Sequence, residues 1–107
     1  MKNDLINNMI KGWFVGDFEP SAFTTENCEV ALKKYKAGDC EDEHYHKIAT
    51  EITLVISGKV NMAGKTWVSG SIIVLEPGES TSFQAVEESL TVVVKVPGAK
   101  NDKYFVG

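Results

Sequence analysis

From residue 12 onward, short runs rich in β-branched and aromatic residues follow one another at close intervals, each cut off by glycine, proline or acidic residues. That punctuation is the tightest constraint on the fold, because each run is too short for a helix and must bury its apolar face by pairing with other strands. The pattern predicts strands at 12–18, 27–37, 42–48, 51–57, 59–62, 65–68, 71–75, 80–86 and 89–97. Their even spacing implies an all-β sandwich or barrel. Ser57-Gly58, Ala63-Gly64 and Pro77-Gly78 read as turns, with Ala63-Gly64 closing a tight hairpin. Residues 3–11, DLINNMIKG, space Leu5, Ile6, Met9 and Ile10 at roughly helical intervals, which predicts a short helix or an arm packing on a partner. No repeat, low-complexity tract or linker interrupts the chain, and its 107 residues suit one domain over 1–107, with 12–107 as the β-barrel.

Charge narrows the partners. All eleven basic residues are lysine, and the formal net charge is −4. Nucleic-acid binding calls for a basic stripe and favours arginine at phosphates and base edges, so it is excluded as an expectation. The bidentate arginine clamp of many phosphate sites is also missing. There is no apolar leader and no run long enough to span a bilayer, so membrane insertion is not expected. Two cysteines, Cys28 and Cys40, fit a reducing cytoplasm.

The stretch EHYHKIATE, residues 43–51, carries the chemistry. Side chains alternate along a strand, so His44 and His46 share a face, roughly 6–7 Å apart along the chain. Glu51 lies at odd separation from both and would point away in an unbroken strand. A bend within residues 47–50 brings it back, after which Glu51, Thr53 and Val55 share one face of the next strand, and the two neighbouring strands aim their ligands at one interior. Two imidazoles and a carboxylate are a donor set for borderline divalent metals that leaves coordination positions open.

The run GDCEDEHYHKIATEITLVISG, residues 38–58, resembles the first motif of the cupin superfamily, G(X)5HXH(X)3–4E(X)6G, at every fixed position: Gly38, His44, His46, Glu51 and Gly58. The second motif, G(X)5PXG(X)2H(X)3N, is matched less well by residues 70–85. Gly70 and Gly78 are in place, but Glu76 replaces the proline, Thr81 the third histidine and Ala85 the asparagine. The resemblance implies an antiparallel double-stranded β-helix, or jelly-roll barrel, of six to eleven strands. It also implies an interior divalent ion (zinc, iron, manganese or nickel) and a homodimer with N-terminal segments packed across the interface. His44, His46 and Glu51 are then the metal ligands, with water expected where the family has its third histidine. By alternation Thr81 and Phe83 face the interior, and Tyr35 reaches it as a candidate proton donor.

The function implied is binding of a small polar molecule such as a sugar or organic acid at the metal, with its transformation as the catalytic version. A catalytic version resembles isomerases, epimerases or dioxygenases. A metal-free, non-catalytic binding or sensing module is the alternative. Four other features have plainer readings. Gly64-Lys65-Thr66 mimics the end of a phosphate loop but lies between strands. The acidic cluster Asp39, Glu41, Asp42 and Glu43 reads as solvated, and Lys33, Lys34 and Lys36 as an exposed face. Trp13, Phe14 and Trp67 read as core or dimer contacts.

Overall fold

The computed structural model describes residues 1–107. Ten strands form two antiparallel five-stranded sheets: β1 (Trp13–Val15), β2 (Glu29–Tyr35), β3 (Cys40–Tyr45), β4 (Thr50–Ser57), β5 (Lys59–Met62), β6 (Lys65–Val68), β7 (Ile72–Leu75), β8 (Thr81–Ala85), β9 (Ser89–Val96) and β10 (Tyr104–Phe105). One sheet runs β1-β2-β9-β4-β7 and the other β10-β3-β8-β5-β6. The all-β expectation holds, with nine of the ten strands at the anticipated places. No helix is long and apolar enough to cross a membrane.

Alternation explains what lies between the sheets. β8 buries Thr81, Phe83 and Ala85 and exposes Ser82 and Gln84, while β4 buries Thr53 and Val55. Val55, Val60, Met62, Ile73, Leu75, Phe83 and Ala85 form the apolar core, and Tyr35 and Trp67 pack against it. The Trp67 indole donates to the Met62 carbonyl at 2.7 Å, so its polar atom is satisfied.

The turns act as their residues dictate. Ala63 and Gly64 both have positive φ (51° and 75°), the primed geometry that suits a two-residue hairpin between β5 and β6. Gly58, at φ 91°, admits no side chain at all. A Cβ there would lie 2.2 Å from Ser89 Oγ and 2.4 Å from the Glu88 carbonyl oxygen. Ser89 uses that proximity to accept a hydrogen bond from the Lys59 amide.

One expectation is met in reduced form and two need correction. The N-terminal segment forms only a 3-10 turn, Ile6–Asn8, and bridges back at Ile10 to Trp13. Two consecutive asparagines favour side-chain hydrogen bonding over a helix, and the carboxylate of Asp4 accepts from the Leu5 amide and from Asn8 Nδ2. The strand expected at 42–48 runs instead from Cys40 to Tyr45, leaving His46 just beyond its end. The strands bearing Glu51 and His44 are also not neighbours: β3 and β4 belong to different sheets and face each other across the interior.

Candidate metal centre

The ligand atoms of His44, His46 and Glu51 lie within 4.8 Å of one another. Three local devices produce this convergence. The first is a β-bulge in β3. Against β8 the register pairs Glu41 with Phe83 and His44 with Thr81, so two residues of β3 oppose one of β8. The extra residue reverses the alternation, and both Glu41 and His44 face inward although they are three apart. The second is the bend over residues 47–49, which returns the chain across the sandwich to β4 and lets Glu51 face the imidazoles.

The third device is Asp102. Its carboxylate accepts from the amides of Lys47 (3.0 Å), Ile48 (3.1 Å to each oxygen) and Ala49 (2.9 Å), satisfying every donor of the bend. Burial of this side chain opposes its charge, but the three amides outweigh that effect and hold its pKa below the usual aspartate value. The short strand β10 follows directly, pairing Tyr104 with Tyr45 and Phe105 with His44. The rings of Tyr45 and Tyr104 stack at 5.5 Å. Sequence reasoning missed both elements, since a two-residue strand and a lone aspartate carry no local periodicity.

The tautomers suit metal binding. His44 Nδ1 lies 2.9 Å from the Asp42 carbonyl oxygen, which can only accept, so the proton sits on Nδ1 and Nε2 keeps its lone pair. His46 is buried, its Nδ1 is 3.5 Å from Glu51 Oε2, and its Nε2 has no hydrogen-bond partner. Burial, reinforced by Lys95 and His44, lowers the His46 pKa to about 4, so the ring is neutral at pH 7. Burial also raises the pKa of Glu51. A neutral buried imidazole with one unpartnered nitrogen and a desolvated carboxylate form a donor set that a divalent cation would satisfy. The residues therefore fit the group that the motif implies.

Thr81, Phe83 and Tyr35 surround the triad's inner side, lining a cavity of about 20 Å³, room for one water. Thr81 is not a spare ligand, because its hydroxyl accepts from the Ala63 amide at 2.7 Å and donates to the Ser82 carbonyl at 2.6 Å. The Tyr35 ring packs on Phe83 at 4.5 Å, and desolvation raises its pKa, so the phenol stays protonated. On the outer side, His44, Glu51 and Tyr35 open into a cleft of about 460 Å³. Two residues expected on the solvent side line this cleft. Glu41 is turned in by the bulge, and Lys33 shares the inward face of β2 with Ala31 and Tyr35.

No family model and no curated protein matches the chain. Solved structures do. A double-stranded β-helix protein from Klebsiella pneumoniae is 21% identical with a TM-score of 0.70, covering 77% of this chain and 72% of its own. The DMSP lyase DddQ from Ruegeria pomeroyi is 15% identical with a TM-score of 0.72 over 88% of this chain and 49% of that one. Oxalate decarboxylase from Bacillus subtilis, a protein with Mn(II) centres, is 20% identical with a TM-score of 0.60 over 77% and 25%. The fold is the cupin double-stranded β-helix. Within that fold the triad stands inside the barrel, between the two sheets, with the polar cleft as its opening.

Proposed function

We propose that this cupin-fold chain binds one divalent metal ion through His44, His46 and Glu51 and holds a small polar molecule in the cleft beside it. The observation that carries the reading is the convergence of one ligand atom from each of His44, His46 and Glu51 to within 4.8 Å of one another, with the His46 ring buried. The Nε2 of His46 also lacks a hydrogen-bond partner, a deficit of about 1–3 kcal/mol that coordination through that atom would recover. Zinc, iron, manganese and nickel all suit two imidazoles and a carboxylate, and the Mn(II) centres of the bacillary decarboxylase favour including manganese among the metals tested. Once bound, the ion would polarise an oxygen of the ligand. Tyr35 would offer a protonated phenol and Phe83 a wall excluding water. Elemental analysis of tag-free protein beside a His44→Ala/His46→Ala variant tests the proposal. The wild type should carry near-stoichiometric metal and the variant almost none. Equal contents refute it.

A metal-free binding module is the second reading. It is favoured by one feature, the commitment of the Thr81 hydroxyl to backbone partners where a fourth ligand would otherwise stand.

For the partner we propose a second copy of the chain, seated on the outer face of the β1-β2-β9-β4-β7 sheet. The register there stacks Val30, Val94, Ile52 and Val74 in one row and Leu32, Val92, Leu54 and Ile72 in the next, with no charge among them. Four strands about 4.8 Å apart make a face on the order of 300 Å². With Leu5, Ile6 and Met9 of the arm alongside, the surface matches the largest apolar patches of monomers, about 300–600 Å² and often functional, and approaches half of a standard interface side of ~800 Å². Ile72 is 64% exposed and Val74 49%, so the arm leaves the β7 side uncovered. Cys28 and Cys40 are both free, in keeping with a cytoplasmic setting.

A further inference from the structure

Four lysines line the cleft, Lys11, Lys33, Lys95 and Lys103, and two of them share one aromatic ring. Lys33 on β2 and Lys95 on β9 both point inward, and each Nζ lies against the indole of Trp13, at 5.1 and 4.8 Å from a ring centroid. Lys95 has a glutamate on either side in the register, Glu29 across to β2 and Glu51 across to β4. Its ammonium nevertheless pairs with neither. The one ion pair between permanently charged groups is Lys100 with Asp17, and the neutral His46 ring is what stands beside Glu51. An indole face attracts a cation by roughly 0.5–2 kcal/mol but leaves its charge intact. The result is two positive groups collected on one aromatic plate, with their hydrogen-bond donors free to face the cleft. Lys33 is half-buried, and desolvation, with neighbouring lysines, lowers its pKa despite the opposing pull of Glu41.

Glu19, Glu29, Glu41 and Glu51 line the same cleft. The opening is therefore a mixed field of four lysines and four glutamates in which Lys33 and Lys95 are brought together on Trp13, which suits a single acidic group and repels a polyanion. Its volume of about 460 Å³ lies within the usual ~300–1,000 Å³ of small-molecule sites.

We propose that Lys33 and Lys95, gathered on Trp13, are the carboxylate-binding end of the cleft, so that the ligand is an organic acid carrying a hydroxyl or carbonyl oxygen and not a neutral sugar. This deepens the reading of the metal site and rests on it only for the oxygen-bound end. The ligand's acid group meets the two ammonium groups at the mouth, and its oxygen function points towards His44 and Glu51.

The test pairs each acid with its uncharged counterpart, tartrate with threitol and galacturonate with galactose, with glycerol 3-phosphate as a phosphate probe. Binding is measured by calorimetry and thermal shift at constant ionic strength, on metal-loaded and on EDTA-treated protein. The expected result is at least tenfold tighter binding of acids than of their neutral partners, with the preference abolished in Lys33→Met/Lys95→Met. If that double variant fails to fold by circular dichroism, Lys33→Gln and Lys95→Gln singly should each cut the preference severalfold. The preference should persist, with weaker absolute binding, after EDTA. Failure of the metal proposal would appear as unchanged metal content in the histidine variant and would leave the acid preference in place. Equal binding of acid and neutral partner, no acid binding at all, a preference that survives both lysine changes, or response to the phosphate alone overturns the assignment.

Discussion

Asp102 offers the most discriminating test of how the site is assembled, because one exposed-looking acidic residue near the C-terminus holds a bend more than fifty residues away. It is only 4% exposed, and the three amides it satisfies differ in their access to water. Ala49 is 2% exposed, so its amide would be stranded by removal of the carboxylate, at about 1–3 kcal/mol. Lys47 and Ile48 lie at the surface, and water can replace the carboxylate there with a loss of about 0.5–1.5 kcal/mol each. Relief of the carboxylate's own desolvation offsets part of this sum, leaving Asp102→Ala destabilised by about 2–4 kcal/mol. At roughly 4–8 °C per kcal/mol, the melting temperature should fall on the order of 10–30 °C. Urea unfolding of wild type, Asp102→Ala and Asp102→Asn across pH measures it. The folded pKa of Asp102 is depressed, so its contribution is fully present above the unfolded value of about 3.9 and fades as pH falls through the lower folded value. The wild-type advantage over the asparagine variant should therefore shrink only below about pH 4. A difference under about 0.5 kcal/mol at pH 7, or one independent of pH, would refute the reasoning.

Other perturbations probe other parts of the fold. Gly58→Ala and Gly70→Ala impose the same positive-φ cost of about 1–2 kcal/mol, but only Gly58 has Ser89 and Glu88 against it, so its variant should lose at least twice as much in denaturant titration. In EDTA-treated protein, His46 has a folded pKa of about 4 against an ordinary value near 6.5, so the unfolded chain binds more protons and stability should fall as pH drops from 6.5 towards 4. His46→Gln should flatten that slope, and an unaltered slope counts against the assignment. Ile72→Lys should convert a dimer into a monomer in analytical ultracentrifugation while moving the unfolding free energy by no more than about 0.5 kcal/mol. A wild type that sediments as a monomer at tens of micromolar rules the interface out.

Period-two alternation and turn residues made most of the fold legible. β5 and β6 fall at 59–62 and 65–68 as anticipated, and the inward set Thr81, Phe83 and Ala85 follows from counting by twos. The need for a bend before Glu51 was legible from parity alone. What holds that bend was not, because Asp102 acts through space and nothing in its neighbourhood of the sequence encodes the contact. Glu41 and Lys33 were placed on the wrong side for different reasons. The bulge at residues 42–43 shifts the parity of everything before it, and a lysine in a charged run looks solvated until an indole from another strand is seen to receive it. Which sheet each strand joins is likewise non-local, so β3 and β4 read as neighbours when they are opposed.

That opposition matters for the centre as a whole. His44 rides on one layer and Glu51 on the other, while His46 follows the end of β3, so the triad joins the two sheets beside the Tyr35–Phe83 ring contact that also spans them. The bite of the ligands therefore follows the separation of the layers. A cation held there would act as a spacer between them, and its ionic radius would bear on the width of the entrance.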